Sequence, residues 1–267
     1  MITLASDFQT PYPAAMRGVI LDRCDARVVD VAHDFPRQDV RASAFWLRET
    51  LPWFPPAVHC AVVDPGVGTD RAAIVVRVGD HALVGPDNGL LLPAARELAD
   101  RTDAAVEPFR WRVADPASST FHGRDVFAPA AAAVHEAGVE RVESLDRATP
   151  TEEFVDLRFP DPELGDGTRD GDGTGATGEV LVVDGFGNVV TNLPGDLLDG
   201  HETVHVEASG SASRSVPVAP AYAHVEAGDA LATVGSHGNV ELAVNRGRGD
   251  EAFELDVGDG VRLAFED

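Results

Sequence analysis

Apolar runs and polar interruptions alternate regularly along the first 160 residues. ITLAS (2–6) is an apolar run of strand length, PAAMRGVILDRC (13–24) spaces its apolar residues as a helix does, and ARVVDVA (26–32) returns to strand texture. DVRASAFWLRETLPWF (39–54) predicts a helix with Asp39 as its N-cap. VHCAVVD (58–64) predicts a strand, and AAIVVRVG with HALVG predicts a hairpin turning at Gly79-Asp80. LLLPAARELAD (90–100) and RDVFAPAAAAVHEAG (124–138) predict helices, the second closed by Gly138. Strands separated by helices imply an α/β domain over residues 1–160 with a largely parallel central sheet.

The pattern breaks at residues 161–178, DPELGDGTRDGDGTGATG, which offer almost nothing to bury and predict a linker or long surface loop. Asp170 and Asp172 are spaced like the first ligands of a calcium loop, but the glutamate such a loop requires falls on Leu181, so no calcium site is expected. Residues 179–267 are a series of short alternating runs with turn residues between them. They predict an all-β domain, a small barrel or sandwich.

Composition narrows this picture. Hydrophobic residues make up 44% of the 267, enough for a sizeable core, and no apolar run is long enough for a transmembrane helix. The start, MITLASDFQT, has no basic region and no long apolar run, and Cys24 and Cys60 form no disulfide framework. A cytoplasmic protein is therefore expected. Lys+Arg is 21 against Asp+Glu 45, a net charge of −24, and the chain contains no lysine. Such a chain repels itself in dilute buffer, a repulsion that fades in molar salt, where the screening length falls to about 3 Å. A salt-rich cytoplasm accounts for this composition; an ordinary acidic protein is the alternative. Either way, a nucleic-acid partner, which needs a basic face, is not expected.

The candidate chemistry lies where polar residues interrupt apolar strands. Asp64 ends one strand and Asp7 follows another, the place where open α/β sheets bind ligands, and Asp30 lies inside a third. In VVDPGVGTDR (62–71), Gly66 and Gly68 allow unusual dihedrals and close approach to a ligand, and Arg71 can hold a carboxylate in a bidentate pair. The same residues also make an ordinary turn whose aspartate binds its own backbone or pairs with Arg71. His122, before a helix, can exchange a proton near neutral pH, and His33 follows a strand. GPDNGLL (85–91) is explained by turn chemistry, and DGFGNVVTN (184–192) and GSHGNVELAVNRG (235–247) read as hairpins in isolation. No Cys/His spacing suggests a metal, and the common nucleotide and hydrolase fingerprints are absent.

Taken together and in order, LASDF, VVDPGVGTDR, GPDNGLL, FHGRDVFAPAAA, DGFGNVVTN and GSHGNVELAVNRG resemble the S-adenosylmethionine hydrolases, also called S-adenosylmethionine hydroxide adenosyltransferases, which are related to the S-adenosylmethionine-dependent fluorinase and chlorinase. The resemblance runs from Asp7 to about Gly260. It implies an α/β domain and a barrel-like β domain assembled as a homotrimer, with the substrate at a subunit interface and no cofactor or metal. It implies Asp64, Arg71 and His122 as the catalytic triad and Asp7 as the ribose contact. Asn188, Phe186 and the backbone from Val244 to Arg246 are implied on the adenine, Asp184 and Ser236 on the methionine part, and Tyr12 in the substrate-binding set. One departure is the short loop DFQTPYP, where Thr10 stands in place of an acidic residue before Pro11-Tyr12. The implied reaction is hydrolysis of S-adenosyl-L-methionine to adenosine and methionine. Its rivals are a halogenase, a non-catalytic adenosine or S-adenosylmethionine binding protein, and a purely structural trimer.

Overall fold

Strand and helix follow one another through the first part of the chain as the apolar pattern requires. The structure, a computed structural model, describes residues 1–113, 118, 120–165, 175–208 and 213–265. These form two compact units, Met1–Arg158 and Phe159–Asp267.

In the first unit, β1 (Ile2–Ser6), β2 (Val28–Ala32), β3 (Val58–Val62), β4 (Ala73–Val78), β5 (His81–Pro86), β6 (Val106–Trp111) and β7 (Ala148–Pro150) form one sheet of order β2-β1-β3-β5-β4-β6-β7. Strands β1 and β3 are buried at every residue, as strands covered on both faces are. Their side chains are mostly apolar, and the polar Thr3, Ser6 and His59 are hydrogen-bonded to one another or to His33 and His81. Helix α1 (Tyr12–Arg23) buries Pro13, Met16 and Ile20, one stripe at helical spacing. Helix α2 (Val40–Thr50) starts where Asp39 Oδ1 accepts the Ala42 N–H at 2.9 Å, as expected. Helix α3 is Leu92–Thr102, and α4 (Ala128–Ala137) ends at Gly138, whose φ of 90° suits glycine.

The sheet is mixed rather than largely parallel. Pairings β2-β1, β1-β3 and β3-β5 are parallel, while β5-β4, β4-β6 and β6-β7 are antiparallel. The cause is the hairpin at Gly79-Asp80, which lays β4 against the outer edge of β5 in reverse. Helix α3 then carries the chain to β6, which runs in the same direction as β5 with β4 between them. The inserted strand turns two neighbouring contacts antiparallel. Strand β6 and the short β7 are absent from the sequence reading, since Pro108 and the charged Glu107 and Arg110 break the apolar pattern of β6.

In the second unit all pairings between named strands are antiparallel. Its strands are β8 (Glu163–Leu164), β9 (Ala176–Val183), β10 (Val189–Pro194), β11 (Thr203–Ala208), β12 (Arg214–Pro217), β13 (Ala230–Val234), β14 (Asn239–Val244) and β15 (Gly260–Ala264), in the order β12-β11-β15-β9-β10-β14-β13 with β8 on β9. An isolated parallel bridge from Val218 to Ala232 joins the two ends of this path and nearly closes a barrel. Val180, Val204, Val206, Val240, Leu242 and Leu263 are among its buried core. Part of the stretch read as a linker is strand: β9 begins at Ala176, and Glu163 pairs with Thr177. Residues 166–174, with Asp170 and Asp172, lie outside the described residues. A short helix, α5 (Gly249–Phe253), follows β14.

Among the described residues no helix is long and apolar enough to cross a membrane. None holds three or more His, Cys, Asp or Glu side chains grouped for a metal ion.

Candidate functional site

Strand order decides where the first unit can hold a ligand. The chain runs from β1 to β2 on one side and then to β3 on the other, so the order reverses between β1 and β3. A crevice outside the carboxyl ends of these strands is the favoured binding place in such sheets. Asp7 follows β1 and Asp64 follows β3, and both line a cleft of about 750 Å³ there, together with Tyr12, Phe121 and His122.

Asp64 is nearly buried at 8% exposure, and its carboxylate is gripped from one side. Arg71 Nε donates to Oδ1 at 2.9 Å, and Arg71 Nη2 donates to Oδ2. The guanidinium is itself fixed: it donates to the Ala72 carbonyl and lies over the Phe127 ring, 5.3 Å from its centroid. His122 Nδ1 stands 3.5 Å from the same Nη2. A guanidinium can only donate, so Nδ1 faces it as the acceptor. One cation thus orients both a carboxylate and an imidazole at the wall of the cleft.

Local structure explains why this loop can do so. The Val67 N–H returns to the Asp64 carbonyl at 3.3 Å, the Thr69 hydroxyl donates to the Gly66 carbonyl at 2.7 Å, and Gly68 takes φ 82°. Two successive turns bring Arg71 back beside Asp64. Gly68 fulfils the expectation of an unusual dihedral. Gly66 does not, because its φ is ordinary and an added Cβ would meet only van der Waals contacts, the nearest at 3.4 Å. The end of β3 is held from outside by Asn88, whose Nδ2 donates to the Val63 carbonyl at 2.9 Å.

Asp7 is placed by a second loop, where the Gln38 N–H donates to its Oδ2 at 2.7 Å. Behind it the Ser6 hydroxyl meets His33 Nδ1 at 2.8 Å, and His33 Nε2 lies 3.2 Å from Asp30, which also pairs with Arg17. Burial raises the Asp30 pKa, but hydrogen bonds from Arg17 and His33 outweigh it and hold the carboxyl below its ordinary value. Asp30 and His33 therefore support the loop from outside the cleft.

Aromatic rings form another wall. Phe121 meets Phe8 and Tyr12 edge to face, with centroids 5.8 and 5.5 Å apart. Gly123 admits them: a Cβ there would stand 2.6 Å from Phe8 Cε2 and 3.0 Å from Met16 Sδ. Such rings suit a purine face or a cation. The sequence reading missed Phe8 and Phe121, although each flanks a residue that it named.

The second unit holds the remaining residues. Asp184 shapes the turn that contains Asn188: its Oδ1 accepts the N–H groups of Phe186 and Asn188 at 2.8 Å each, and its Oδ2 accepts Asn188 Nδ2 at 3.0 Å. Gly187 takes φ 86°, and Phe186 is left 80% exposed. Val189 stands opposite Leu242 and Pro194 opposite Asn239. The turn at Asn188 therefore shares one end of the β10–β14 pair with the buried Val244 and the exposed Arg246, whose φ is 58°. Ser236, exposed in the β13–β14 turn, lies at the other end. Between these ends are three side chains the sequence reading did not assign, Tyr222, His237 and Glu241.

Comparison with known proteins adds an independent line. Residues 2–145 match the SAM hydroxide adenosyltransferase N-terminal domain, and residues 178–262 match its C-terminal domain. A Thermus thermophilus protein named (R)-S-adenosyl-L-methionine hydrolase is 41% identical, over 97% of each chain. A Salinispora arenicola protein of the same name is also 41% identical, over 94% of this chain and 92% of that one. A crystal structure of an uncharacterized conserved protein from Thermotoga maritima superimposes with a TM-score of 0.81 at 30% identity, over 98% of this chain and 99% of that one.

Proposed function

The chain belongs to the SAM hydroxide adenosyltransferase family, and from that premise we propose that it hydrolyses S-adenosyl-L-methionine to adenosine and L-methionine. The relatives' names specify the R epimer at sulfur, and we assign that epimer here. The observation that carries the reading is the grip of one guanidinium on both Asp64 and His122 at the end of β3, in a cleft that also holds Asp7.

The reaction is a displacement at the ribose 5′-carbon. A water oxygen forms the new C5′–O bond as the C5′–S bond breaks, and the electron pair of that bond leaves with methionine as a neutral thioether. The sulfonium needs no acid. The difficulty lies in the nucleophile, and a positioned group that takes the water's proton supplies about 10²–10⁴-fold. Asp64 and His122 are the candidate acceptors. Asp64 keeps lone pairs to spare beside Arg71, whereas His122 offers only its Nδ1 lone pair and takes a proton there only by leaving Arg71 Nη2. The charge of Arg71 steadies the developing hydroxide. Confinement beside C5′ adds an effective-concentration term. A carboxylate at this position repels a halide, which favours water over chloride.

Asp7 binds the ribose hydroxyls, with Tyr12 beside it. Asn188, Phe186, Val244 and Arg246 hold the adenine, and Ser236 lies toward the methionine part. Asp184, implied on the methionine by the family resemblance, instead has its carboxylate satisfied within the Asn188 turn and shapes the adenine contact. These second-unit residues serve the site of a neighbouring copy in a homotrimer. The chemistry as written requires no metal or cofactor. The protein works in a salt-rich cytoplasm, which accounts for its −24 charge.

The test is incubation with the R epimer in ¹⁸O-labelled water and molar sodium chloride, followed by chromatography and mass analysis. Adenosine carrying the label at its 5′-hydroxyl, with unlabelled methionine, is the expected result. A 5′-chloro-5′-deoxyadenosine product assigns a halogenase instead, and unconsumed substrate leaves a binding protein.

A further inference from the structure

A chain of polar side chains runs along β14 from the turn at Ser236 toward the turn at Asn188, and its hydrogen-bond polarity is fixed from Glu241 to Asn188. The Asn239 N–H donates to His237 Nδ1 at 3.2 Å, so a neutral His237 carries its proton on Nε2, which is buried 3.4 Å from Glu241 Oε2, close enough for electrostatic attraction but without hydrogen-bond geometry. The Tyr222 hydroxyl meets Glu241 Oε1 at 2.5 Å. A carboxylate can only accept, so Tyr222 spends its proton there and offers an oxygen lone pair to its other neighbour. That neighbour is Asn188, whose Nδ2 lies 3.3 Å from the Tyr222 oxygen. The second Nδ2 hydrogen goes to Asp184 Oδ2 at 3.0 Å.

The orientation of an asparagine amide is settled by its partners. Here both partners of Nδ2 are acceptors, one a carboxylate and the other a phenol oxygen whose proton is already committed. Nδ2 is therefore turned inward with both hydrogens used. Among the described residues nothing donates to Asn188 Oδ1, and that atom is not a buried orphan, so it meets solvent as a bare acceptor. Burial first, and then Glu241, push the Tyr222 phenol well above its ordinary pKa, which keeps the donated proton in place.

We propose that Tyr222, held by Glu241 and His237, is a positioning residue that keeps Asn188 Oδ1 facing the ligand, and that this polarity selects a 6-amino purine over a 6-oxo purine. The inference rests on the adenosyl reading above. An acceptor at this point takes the N6–H of adenine and opposes the O6 of hypoxanthine. Nothing in it requires that the residues touch the reacting atoms.

Two substitutions separate positioning from mere support. Tyr222→Phe removes one of the two acceptors of Nδ2 and leaves Asp184 to hold the amide alone. Glu241→Gln keeps the volume but conflicts with the chain. The carbonyl of the new amide is drawn to the His237 Nε2–H, its N–H₂ then faces the Tyr222 oxygen, and the phenol proton swings toward Asn188 Nδ2. That reversal presses the Asn188 amide to flip.

The experiment is equilibrium binding of adenosine and inosine to the full-length parent and both variants, with thermal melting beside it. The parent should bind adenosine at least about tenfold tighter than inosine, the size of one mispaired hydrogen bond. Tyr222→Phe should lower that ratio about threefold, and Glu241→Gln should bring it close to one. A purely supporting role would change the melting temperature and leave the ratio intact. If both variants keep the parental ratio, or if the parent does not prefer adenosine, the proposal is overturned. If the parent binds neither nucleoside and does not consume S-adenosyl-L-methionine, the functional reading itself falls, and the inference with it.

Discussion

Val-Val-Asp occurs three times in this chain, once inside β2 at residues 28–30 and twice at the end of an apolar strand, at residues 62–64 and 182–184, where each is followed by a tight loop containing a glycine of positive φ. The two aspartates end up in opposite situations. Asp184 spends its oxygens on its own turn, on two backbone N–H groups and the Asn188 amide. Asp64 is held instead by a guanidinium seven residues ahead, and it lines a cleft that also contains an imidazole and a second carboxylate. A carboxylate satisfied by its own backbone builds local structure. One satisfied by a side chain that also holds other reactive groups is set up for chemistry. The motif alone does not separate the two roles; the partner does.

Breaking the first of these carboxylates should have the largest effect. Asp64→Asn keeps an acceptor for Arg71 Nε but turns an amide N–H₂ toward Nη2 and removes the charge. Turnover per folded molecule should fall by about two to four powers of ten, the range of a general base. Substrate affinity should change much less. Stability should fall as well, because a nearly buried cation loses its partner, so turnover is to be measured on folded protein in molar salt. Arg71→Ala should lower turnover too, and the double variant should cost less than the sum of the two, since the residues act as one unit. Near-parental turnover in folded Asp64→Asn would make Asp64 a turn residue like Asp184.

How far the sequence could reach follows from the same contrast. Pairings within a few residues were legible: Asp64 with Arg71, Asp39 with the start of α2, and the hairpin at Gly79-Asp80. Central strands such as β1 and β3 were legible because burial on both faces demands a predominantly apolar run. Strand β6 was not, since Pro108 and alternating charges look like loop. The mixed sheet was not either, because strand direction depends on where the hairpin lands. Glu241 shows the limit most clearly. In NVELAV it occupies what reads as an outward polar position of an alternating strand, yet it is only 5% exposed. Its partners, Tyr222 and His237, come from loops, and nothing in the local pattern announces them.

Buried imidazole gives a second difference between the two units. In the second, His237 lies beside the carboxylate of Glu241. In the first, His59 is fully buried, with Nδ1 2.8 Å from the Thr3 hydroxyl and Nε2 3.0 Å from His81 Nδ1. Burial, and then His81, push the His59 pKa down from 6.5 to about 3. Burial also lowers that of His81. The folded state therefore disfavours the protonated rings. The stability they contribute is full above the ordinary value of 6.5 and is lost as pH falls toward 3. From His59 alone, about 2 kcal/mol should be lost by about pH 5. The measurement is the melting temperature from about pH 7.5 to about pH 5, in molar salt. In dilute buffer the −24 charge relaxes over the same range and works in the opposite direction. Under molar salt the melting temperature should drop, and His59→Gln, which cannot titrate, should flatten the slope. An equal slope in that variant would move the acid lability away from this pair.

The smallest effect, and the one that sharpens the comparison most, comes from making the same isosteric change at the other strand-ending Val-Val-Asp. Asp184→Asn can keep Oδ1 as the acceptor of the Phe186 and Asn188 backbone N–H groups, so the turn itself survives. What changes is the other oxygen, which becomes an N–H₂ facing Asn188 Nδ2, a donor against a donor. Losing one hydrogen bond of this kind costs about 1 kcal/mol, which lowers the melting temperature of a chain this size by about 2–4 °C. Asn188 also loses its carboxylate lock, so affinity for the adenosyl group should weaken by about tenfold or less. The hydrolytic chemistry has no use for Asp184 in this account, so turnover at saturating substrate should stay within about threefold of the parent, inside the scatter of single contacts. Melting, binding and saturated turnover on Asp64→Asn and Asp184→Asn, run side by side, therefore give opposite signatures from one chemical edit. If Asp184→Asn also loses turnover by powers of ten while its melting temperature holds, then a carboxylate satisfied by its own turn is still doing chemistry, and the distinction between the two loops fails.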